Sequence, residues 1–351
     1  MQLSIEPLGQ DVEVEEGQTL LDAALRAGVY LPHACGHGLC GTCKVQVLEG
    51  DIEHGEPSSF ALMDFEREEG LCLACCATAE SDVTIEADVE EEPEALDIPV
   101  RDFEATVARL ERLTPTILGL TLELSDAEGI RFQAGQYVNL ELPEGIGRRA
   151  FSIATPPSSP GRIELHVRRV PGGAGTGYIH EKLREGDRVS FSGPHGRFFV
   201  RRAEEKPVIF LAGGSGLSSP LSMVKDLLET GASFPITLVY GQRSREELYH
   251  HEALLALAEA HSGFSYVPAL SNEPAGSAWT GHRGFVHEAA VEHFDGSFEG
   301  MRAYLCGPPA MIDACITALM QGRLFERDIF TERFISAADA QTIRSPLFKR
   351  I

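Results

Sequence analysis

Positive charge is scarce in this sequence, above all in its first quarter. The 351 residues include 30 lysines and arginines against 53 aspartates and glutamates, a formal net charge of −23. Residues 1–95 contain 22 acidic and 3 basic side chains (net −19), whereas the other 256 contain 31 and 27 (net −4). Nucleic acid and anionic membranes would repel so acidic a segment, so we expect neither as a partner. The acidic segment is either a highly solvated surface or one that steers docking to a protein partner.

Long apolar segments are absent as well. No apolar run approaches the roughly 20 residues that a membrane-spanning helix needs. Residues 1–20 have neither the basic start nor the apolar centre of a signal peptide. We therefore expect a cytoplasmic protein, and in that compartment clustered cysteines bind metal more often than they form disulfides. Six of the eight cysteines lie between Cys35 and Cys76.

The pattern of apolar residues changes along the chain and predicts three domains. Alternating strands surround a short helix and the cysteines in residues 1–92, and an acidic, proline-containing linker follows at 93–101. Short strands separated by turn residues predict an antiparallel β-barrel at 102–204. Between 205 and 335 apolar strands alternate with helices, as in a doubly wound parallel sheet, and a tail occupies 336–351. The predicted fold class is therefore multidomain, combining α+β and α/β.

Three of the clustered cysteines have a spacing that predicts an iron–sulfur site. Cys35, Cys40 and Cys43 follow the C-x4-C-x2-C pattern of plant-type [2Fe–2S] ferredoxins, in which a distant fourth cysteine completes the ligands. Two sulfide-bridged irons need four thiolates. Glycines between these cysteines let the backbone approach the cluster and direct N–H groups at its sulfur atoms.

The fourth ligand has to come from Cys72, Cys75 or Cys76. Ferredoxins end in a Leu-x-Cys step shortly before a strand, and Leu73-Ala74-Cys75 followed by residues 81–86 resembles that arrangement. The resemblance favours Cys75 as the fourth ligand and leaves the other two cysteines as buried apolar residues.

Two other metal sites are less compatible with the pattern. The C-x2-C pairs that end at Cys43 and Cys75 resemble a four-cysteine zinc site, but 28 residues separate them and Cys35 is left unexplained. Cys35-Gly36-His37 resembles half of a Rieske motif, yet the sequence has no C-x-x-H partner for it. His33 and His37 are then expected to be solvent-facing loop residues.

The predicted barrel carries three motifs of a flavin site. Arg149-Ala150-Phe151-Ser152, the glycine-rich Gly172–Gly177 before a helix predicted at Tyr178–Leu183, and Gly193–Phe198 occur in this order. They resemble motifs of the ferredoxin–NADP reductase superfamily. The resemblance implies that the arginine holds the flavin pyrophosphate, the aromatic ring lies against the flavin, and the serine reaches its reactive N5 edge. The glycine-rich segment would offer backbone N–H groups to a phosphate.

The last domain carries nicotinamide-site motifs. Gly213-Gly214-Ser215-Gly216 lies between an apolar strand and a helix, where a loop can hold phosphate. Cys306-Gly307-Pro308 and the Glu332-x-Phe334 ending resemble superfamily motifs beside the nicotinamide and the flavin, at the carboxyl ends of the strands. The choice between NADH and NADPH stays open, because Arg243 and Arg245 favour a 2′-phosphate whereas the two glutamates after them oppose it.

Together, the domain order and motifs resemble the reductase components of bacterial multicomponent monooxygenases and ring-hydroxylating dioxygenases. A closer resemblance to those of phenol hydroxylases rests on the stretches Leu31–Gly38, Ala61–Asp64, Met320–Asp328 and Leu347–Ile351. That family implies a β-grasp ferredoxin domain, an FAD barrel and an NAD domain, which carry electrons from NADH through FAD and a [2Fe–2S] cluster to a di-iron hydroxylase component. The alternatives are a dioxygenase reductase and, from another class, a non-catalytic zinc- and nucleotide-binding module.

The predicted site residues fall into three sets. The catalytic set comprises Ser152, Cys306, Glu332 and Phe334; the cofactor-binding set comprises Arg149, Phe151, Ser152, Gly175, Thr176, Gly213, Gly214, Gly216, Cys306, Gly307, Pro308 and Phe334; and the metal ligands are Cys35, Cys40, Cys43 and Cys75.

Overall fold

The computed structural model describes residues 1–89 and 92–334, which form two compact units, 1–101 and 102–334. The predicted tail at 336–351 lies outside the described residues. Among the described residues, none of the helices combines the length and the apolar character that crossing a bilayer requires.

The first unit is a small mixed sheet with one helix packed on it. Its elements are β1 (Gln2–Glu6), β2 (Gln10–Glu13), α1 (Leu20–Arg26), β3 (Lys44–Glu49), β4 (Ile52–Glu53), α2 (Asp64–Glu68), β5 (Leu71–Leu73), β6 (Thr78–Ala79) and β7 (Val83–Glu86). The strand order is β2-β1-β7-β3-β5, with β1 and β7 parallel in the centre. This is the predicted β-grasp arrangement.

Local sequence explains where α1 begins and ends. The Thr19 hydroxyl accepts the N–H of Asp22 at 3.2 Å, a side-chain N-cap that satisfies one of the open donors of the first turn. Gly28 follows the helix with φ of +80°, a conformation that side-chain-bearing residues rarely adopt. Leu20 and Ala24 on the inner face are fully buried. The chain then enters the cysteine loop.

The end of the predicted linker packs on the first unit. Val100 is 4% exposed within the apolar core of this unit, and its N–H donates to the carbonyl oxygen of Leu25 at 3.0 Å. Strand β8 begins directly after it, at Arg101. Val100 therefore belongs to the first unit although it follows an acidic segment. The free connection between the two units is shorter than the linker that composition predicts at residues 93–101.

The second unit begins with an antiparallel barrel. Its elements are β8 (Arg101–Arg112), β9 (Ile117–Leu124), β10 (Tyr137–Leu142), β11 (Gly147–Ser152), β12 (Arg162–Arg168), α3 (Ala174–Glu181) and β13 (Arg188–His195). The order is β11-β10-β13-β8-β9-β12, and a bridge between Ile153 and Leu165 brings the two edges together. Apolar residues alternate along the strands and fill the barrel.

A six-stranded parallel sheet completes the second unit. Its elements are β14 (Val208–Gly213), α4 (Ser218–Glu229), β15 (Ile236–Gln242), α5 (His251–Ala260), β16 (Phe264–Leu270), β17 (His282–Arg283), α6 (Val286–His293), β18 (Arg302–Gly307), α7 (Pro309–Gln321) and β19 (Ile329–Arg333). The order is β17-β16-β15-β14-β18-β19. Every residue of β14 and β18 is buried, as expected of central strands with helices on both faces. The predicted fold class is confirmed.

Candidate functional site

The loop between α1 and β3 supplies three of the predicted metal ligands, Cys75 after β5 supplies the fourth, and the four lie in two pairs. The thiols of Cys35 and Cys40 share a hydrogen bond, which lowers the pKa of Cys40 to about 5 and raises that of Cys35. Cys43 and Cys75 share another, which raises the pKa of Cys75 to about 12. A [2Fe–2S] cluster needs four thiolates, two on each iron, and the two pairs of cysteines provide them.

Backbone N–H groups already point at these sulfur atoms. The N–H of Gly38 donates to Cys75 Sγ at 3.3 Å, and that of Leu39 donates to Cys35 Sγ at 3.4 Å. Such donors lower the cost of negative charge on thiolates and bridging sulfides. Gly38 has φ of +76°, and a Cβ there would lie 2.7 Å from Cys76 Sγ, so the close wrap needs glycine. The residues present therefore fit a [2Fe–2S] cluster.

The other two cysteines occupy different positions. Cys72 is fully buried in β5, within the core of the first unit. Cys76 is half-buried, with its Sγ 3.7 Å from Cys75 Sγ, and the Gly38 N–H donates to Cys75 rather than to Cys76. This geometry favours Cys75 as the fourth ligand.

The expectation that both loop histidines face solvent holds for His37 but is wrong for His33. His37 is exposed, whereas His33 is 5% exposed. The His33 ring packs against Tyr30 with centroids 5.4 Å apart, and its Nδ1 donates to the carbonyl oxygen of Leu31 at 2.7 Å. A local backbone bond satisfies Nδ1 of this buried ring, and the sequence pattern does not reveal it.

In the barrel, the predicted flavin residues lie at the start of α3 and the end of β11. Gly175 is in the first turn of α3, and a Cβ there would lie 2.9 Å from Cγ of Arg149. Arg149 is exposed, so its guanidinium and the N-terminal N–H groups of α3 face the same space. The Thr176 hydroxyl accepts the N–H of Val170 at 3.0 Å and anchors the turn. The guanidinium of Arg149 beside the N-terminus of α3 is therefore suited to binding a pyrophosphate.

The predicted start of this helix is wrong by four residues. The glycine-rich composition of residues 172–177 suggests a loop, but the helix begins at Ala174 and includes Gly175 and Gly177. Glycine disfavours helix interiors by about 1 kcal/mol. Packing of Ile179, which is fully buried in the barrel core, offsets that cost and extends the helix toward its N-terminus.

A four-residue cluster joins the barrel to the parallel sheet. The carboxylate of Glu332 on β19 accepts the hydroxyl of Ser152 at 3.1 Å and that of Ser219 at 2.6 Å, and the thiol of Cys306 at 3.4 Å. Ser152 ends β11, and Cys306 lies near the end of β18. The structure therefore brings three of the four predicted catalytic residues into direct contact, at the carboxyl edge of the sheet where ligands bind in this topology.

Sequence reasoning missed one member of this cluster, Ser219. It is fully buried in the first turn of α4, directly before Pro220. No motif or spacing in the sequence marks this serine as a site residue. Only the fold shows that its hydroxyl reaches Glu332.

Burial raises the pKa of the Glu332 carboxyl, and the three hydrogen bonds only partly offset that effect. A raised pKa in the folded state means that ionisation costs stability, and this cost appears as the pH rises from the usual value of 4.5 through the folded value. We therefore expect Glu332→Gln to gain stability relative to the wild type over that interval and to match it at lower pH. Urea unfolding of both proteins across this pH range measures the difference. Glu326→Gln, at an exposed position, is the control, and a pH-independent difference for Glu332→Gln would contradict the account.

The predicted phosphate loop forms a tight turn against β18. A Cβ on Gly216 would lie 2.3 Å from the carbonyl oxygen of Cys306, and one on Gly213 would lie 2.3 Å from Sδ of Met311. Gly214 has φ of +61°, and the Tyr240 hydroxyl donates to its carbonyl oxygen at 3.3 Å. These residues fit a ligand phosphate, because the glycines leave the backbone open on the side away from β18.

The remaining predicted residues line the same edge of the sheet. Gly307 has φ of +153°, and its carbonyl oxygen accepts the N–H of Phe334 at 3.0 Å. Pro308 is the N-cap residue of α7. Phe334 is half-buried against the core that includes Cys306. An aromatic ring that is only partly covered, at the end of a strand, can be displaced without opening the core.

Three protein-family models match the chain, one for each domain. The 2Fe-2S iron–sulfur cluster binding domain matches residues 3–80, the oxidoreductase FAD-binding domain 104–200, and the oxidoreductase NAD-binding domain 210–316. A match to the cluster-binding family across the cysteine loop contradicts the zinc-module alternative.

Two relatives are similar over the whole chain. The phenol 2-monooxygenase reductase component DmpP of Pseudomonas sp. strain CF600 is 58% identical, covering 99% of each chain. The phenol hydroxylase P5 protein of Acinetobacter pittii strain PHEA-2 is 55% identical, covering 100% of this chain and 99% of that protein. Among solved structures, the Amycolatopsis cytochrome P450 reductase GcoB superposes with a TM-score of 0.87 at 36% identity, covering 95% of this chain and 98% of the other.

Proposed function

The chain belongs to the family of iron–sulfur flavoprotein reductase components of phenol monooxygenases, and we propose that it carries electrons from NADH to a di-iron hydroxylase component. It is an oxidoreductase with domains for a [2Fe–2S] cluster, FAD and NAD. The hydroxylase partner and phenol as its substrate follow from the names of the relatives and are proposals for this chain.

The observation that carries the proposal is the Ser152–Ser219–Cys306–Glu332 cluster. It joins the end of a barrel strand that bears the flavin motif to the glycine loop and strand ends that bear the nicotinamide motifs. A reductase has to bring flavin and nicotinamide together at one point, and this contact joins the two halves of the second unit at the edge that bears both sets of motifs. A plain nucleotide-binding module has no need of such a contact.

When bound, FAD and NADH supply the hydride chemistry and the cluster supplies one-electron transfer. The residues of the chain bind and orient. Arg149 and the start of α3 would hold the pyrophosphate of FAD, and Gly213–Gly216 the phosphates of NADH. The Ser152 hydroxyl donates a hydrogen bond to the Glu332 carboxylate. This bond fixes the orientation of that hydroxyl at the predicted flavin edge.

Between NADH and NADPH, we propose NADH on the strength of the family. In the loop after β15, Arg243 and Arg245 are exposed, and the backbone N–H of Arg245 donates to the Glu273 carboxylate at 3.1 Å. Glu246 and Glu247 add further negative charge next to them. A 2′-phosphate would meet two carboxylates of this loop, and Glu273 from the loop after β16, which disfavours NADPH.

The proposed acceptor-binding surface lies beside the cysteine loop. The N–H of Ser58 donates to the carbonyl oxygen of Gly38 at 2.9 Å, so the segment that follows is tied to the loop. Phe60 is 77% exposed and Phe65 is 55% exposed, with the exposed Asp64 between them. Exposed aromatics within an acidic surface are typical of a protein-docking site.

We expect transfer of electrons to the hydroxylase to slow by about 10-fold or more when ionic strength rises from about 0.05 to 0.5 M, because salt screens attraction between the acidic unit and a basic partner. Stopped-flow mixing of the NADH-reduced protein with the di-iron component measures the rate. Flavin reduction by NADH, which needs no protein partner, is the control. A transfer rate that is unchanged or rises with salt would argue against acidic-face docking. If the protein reduced a ring-hydroxylating dioxygenase component as fast as it reduces the di-iron hydroxylase, that result would instead favour the dioxygenase as its partner.

A further inference from the structure

Two histidines and a glutamate converge in the second unit, away from the Glu332 cluster. Glu164 and His166 lie on the same face of β12, and His250 directly precedes α5. His166 Nε2 is 3.2 Å from Glu164 Oε1 and 3.4 Å from His250 Nε2, and the last two atoms are 4.0 Å apart. The His166 side chain is fully buried, and the other two are about one-quarter exposed.

These separations match the edges of a zinc coordination tetrahedron. Zn–N and Zn–O bonds of about 2.0–2.1 Å at tetrahedral angles place neighbouring ligand atoms about 3.3 Å apart. Two of the three observed distances lie within about 0.1 Å of that value, and the third is longer by about 0.7 Å. Imidazole nitrogens with one carboxylate are ligands that suit zinc, and the part-exposed side of the trio leaves room for a water as fourth ligand.

The outer contacts of His166 are compatible with the form that a metal needs. The Tyr249 hydroxyl lies 3.2 Å from His166 Nδ1 and 3.5 Å from the carbonyl oxygen of Gly214. When the phenol donates to the carbonyl, its oxygen accepts from Nδ1–H of His166, and Nε2 is then available to bind a metal. A metal-binding histidine almost always donates its other N–H in this way.

His166 and Glu164 are joined either by a proton or by a metal ion. Their atoms are 3.2 Å apart, which is an N–H···O hydrogen bond when Nε2 carries the ring proton, and a metal ion takes the place of that proton when Nδ1 carries it. His250 has φ of +57°, a left-handed conformation that non-glycine residues rarely adopt. The positive charge of Lys225 lies close to both Glu164 and His250.

We propose that Glu164, His166 and His250 form a binding site for one divalent transition-metal ion, with zinc as the best fit. Glu164 and His166 come from the barrel, whereas His250 comes from the parallel-sheet half. The bound ion cross-links the two halves beside the Gly214 loop. Its role is structural, and it is separate from the cysteine loop of the first unit.

The test is zinc binding by the holoprotein with its flavin and full iron content, so that the cysteines are already occupied. Equilibrium dialysis followed by metal analysis is expected to give one zinc per chain. His250→Ala and Glu164→Gln are each expected to weaken binding by at least about 100-fold, since even outer contacts of a metal site contribute about 10–100-fold. His251→Ala is the matched control, because this neighbouring ring contacts Tyr266 and not the trio.

X-ray absorption at the zinc edge identifies the ligands independently of the variants. The site predicts nitrogen and oxygen neighbours at about 2.0–2.1 Å, whereas cysteine binding would give sulfur at about 2.3 Å. The inference is overturned if the wild type retains no zinc, if the ligands are sulfur, or if folded His250→Ala and Glu164→Gln retain zinc as tightly as the wild type. In the first case a hydrogen bond from His166 Nε2–H to Glu164 accounts for the contact.

Discussion

Cys75→Ser is expected to remove the [2Fe–2S] cluster and to abolish electron transfer to a hydroxylase, while NADH still reduces the flavin at close to the wild-type rate. The four predicted ligands lie in the first unit, and the flavin and nicotinamide residues lie in the second. Losing one of four thiolates leaves an iron without its full ligand set, so the cluster is not retained. Iron and sulfide content, electron paramagnetic resonance and the rate of hydroxylase reduction measure the first effect, and anaerobic stopped-flow bleaching of the flavin measures the second.

Cys76→Ser is the matched control for this variant. Cys76 Sγ is only 3.7 Å from Cys75 Sγ, so the two substitutions make the same chemical change at neighbouring positions. The account predicts that Cys76→Ser keeps two irons per chain and transfers electrons normally. Loss of the cluster in Cys76→Ser but not in Cys75→Ser would reassign the fourth ligand. Loss of flavin reduction in Cys75→Ser would contradict the division of labour between the two units.

Gly216→Ala is expected to lower kcat/KM for NADH by at least about 100-fold while the protein still binds flavin. A Cβ at this position would lie 2.3 Å from the carbonyl oxygen and 2.7 Å from the carbonyl carbon of Cys306, which are backbone atoms that cannot rotate away. The loop and β18 must therefore separate, and a displacement of about 1 Å in a binding site can cost about 10²-fold in rate. Anaerobic flavin reduction at several NADH concentrations gives the constant.

Gly263→Ala separates this effect from a general loss of stability. Gly263 lies in the same half of the unit, a Cβ there meets nothing within 4 Å, and its φ is outside the left-handed region. We expect this control to reduce its flavin as the wild type does. Normal NADH kinetics in Gly216→Ala would mean that the glycine loop does not bind the nicotinamide cofactor, and the site would have to lie elsewhere.

The parts of the fold that sequence reasoning predicted best are those with strong local patterns. The apolar run of β14 between a proline and a glycine loop predicts a buried parallel strand, and all six of its residues are buried. The cap of α1 by Thr19 can be read directly from the residues. The C-x4-C-x2-C spacing likewise needs no knowledge of distant contacts, because three ligands come from one loop.

What sequence reasoning missed depends on contacts between residues far apart in the chain. Ser219 and Glu332 are 113 positions apart, and no local pattern indicates their 2.6 Å hydrogen bond. His166 and His250 are 84 positions apart, and no local pattern in the sequence links them. The burial of Val100 at the end of an acidic stretch is of the same kind, since composition describes the segment and not the one side chain that packs.

An anaerobic titration of the purified protein with NADH, followed by visible absorption and electron paramagnetic resonance, tests the central claim most directly. The account predicts bleaching of the flavin bands together with the signal of a reduced [2Fe–2S] cluster. That result would establish that both cofactors accept electrons from NADH in one chain. Flavin bleaching without any cluster signal, or a protein with zinc in place of iron in the cysteine loop, would contradict it.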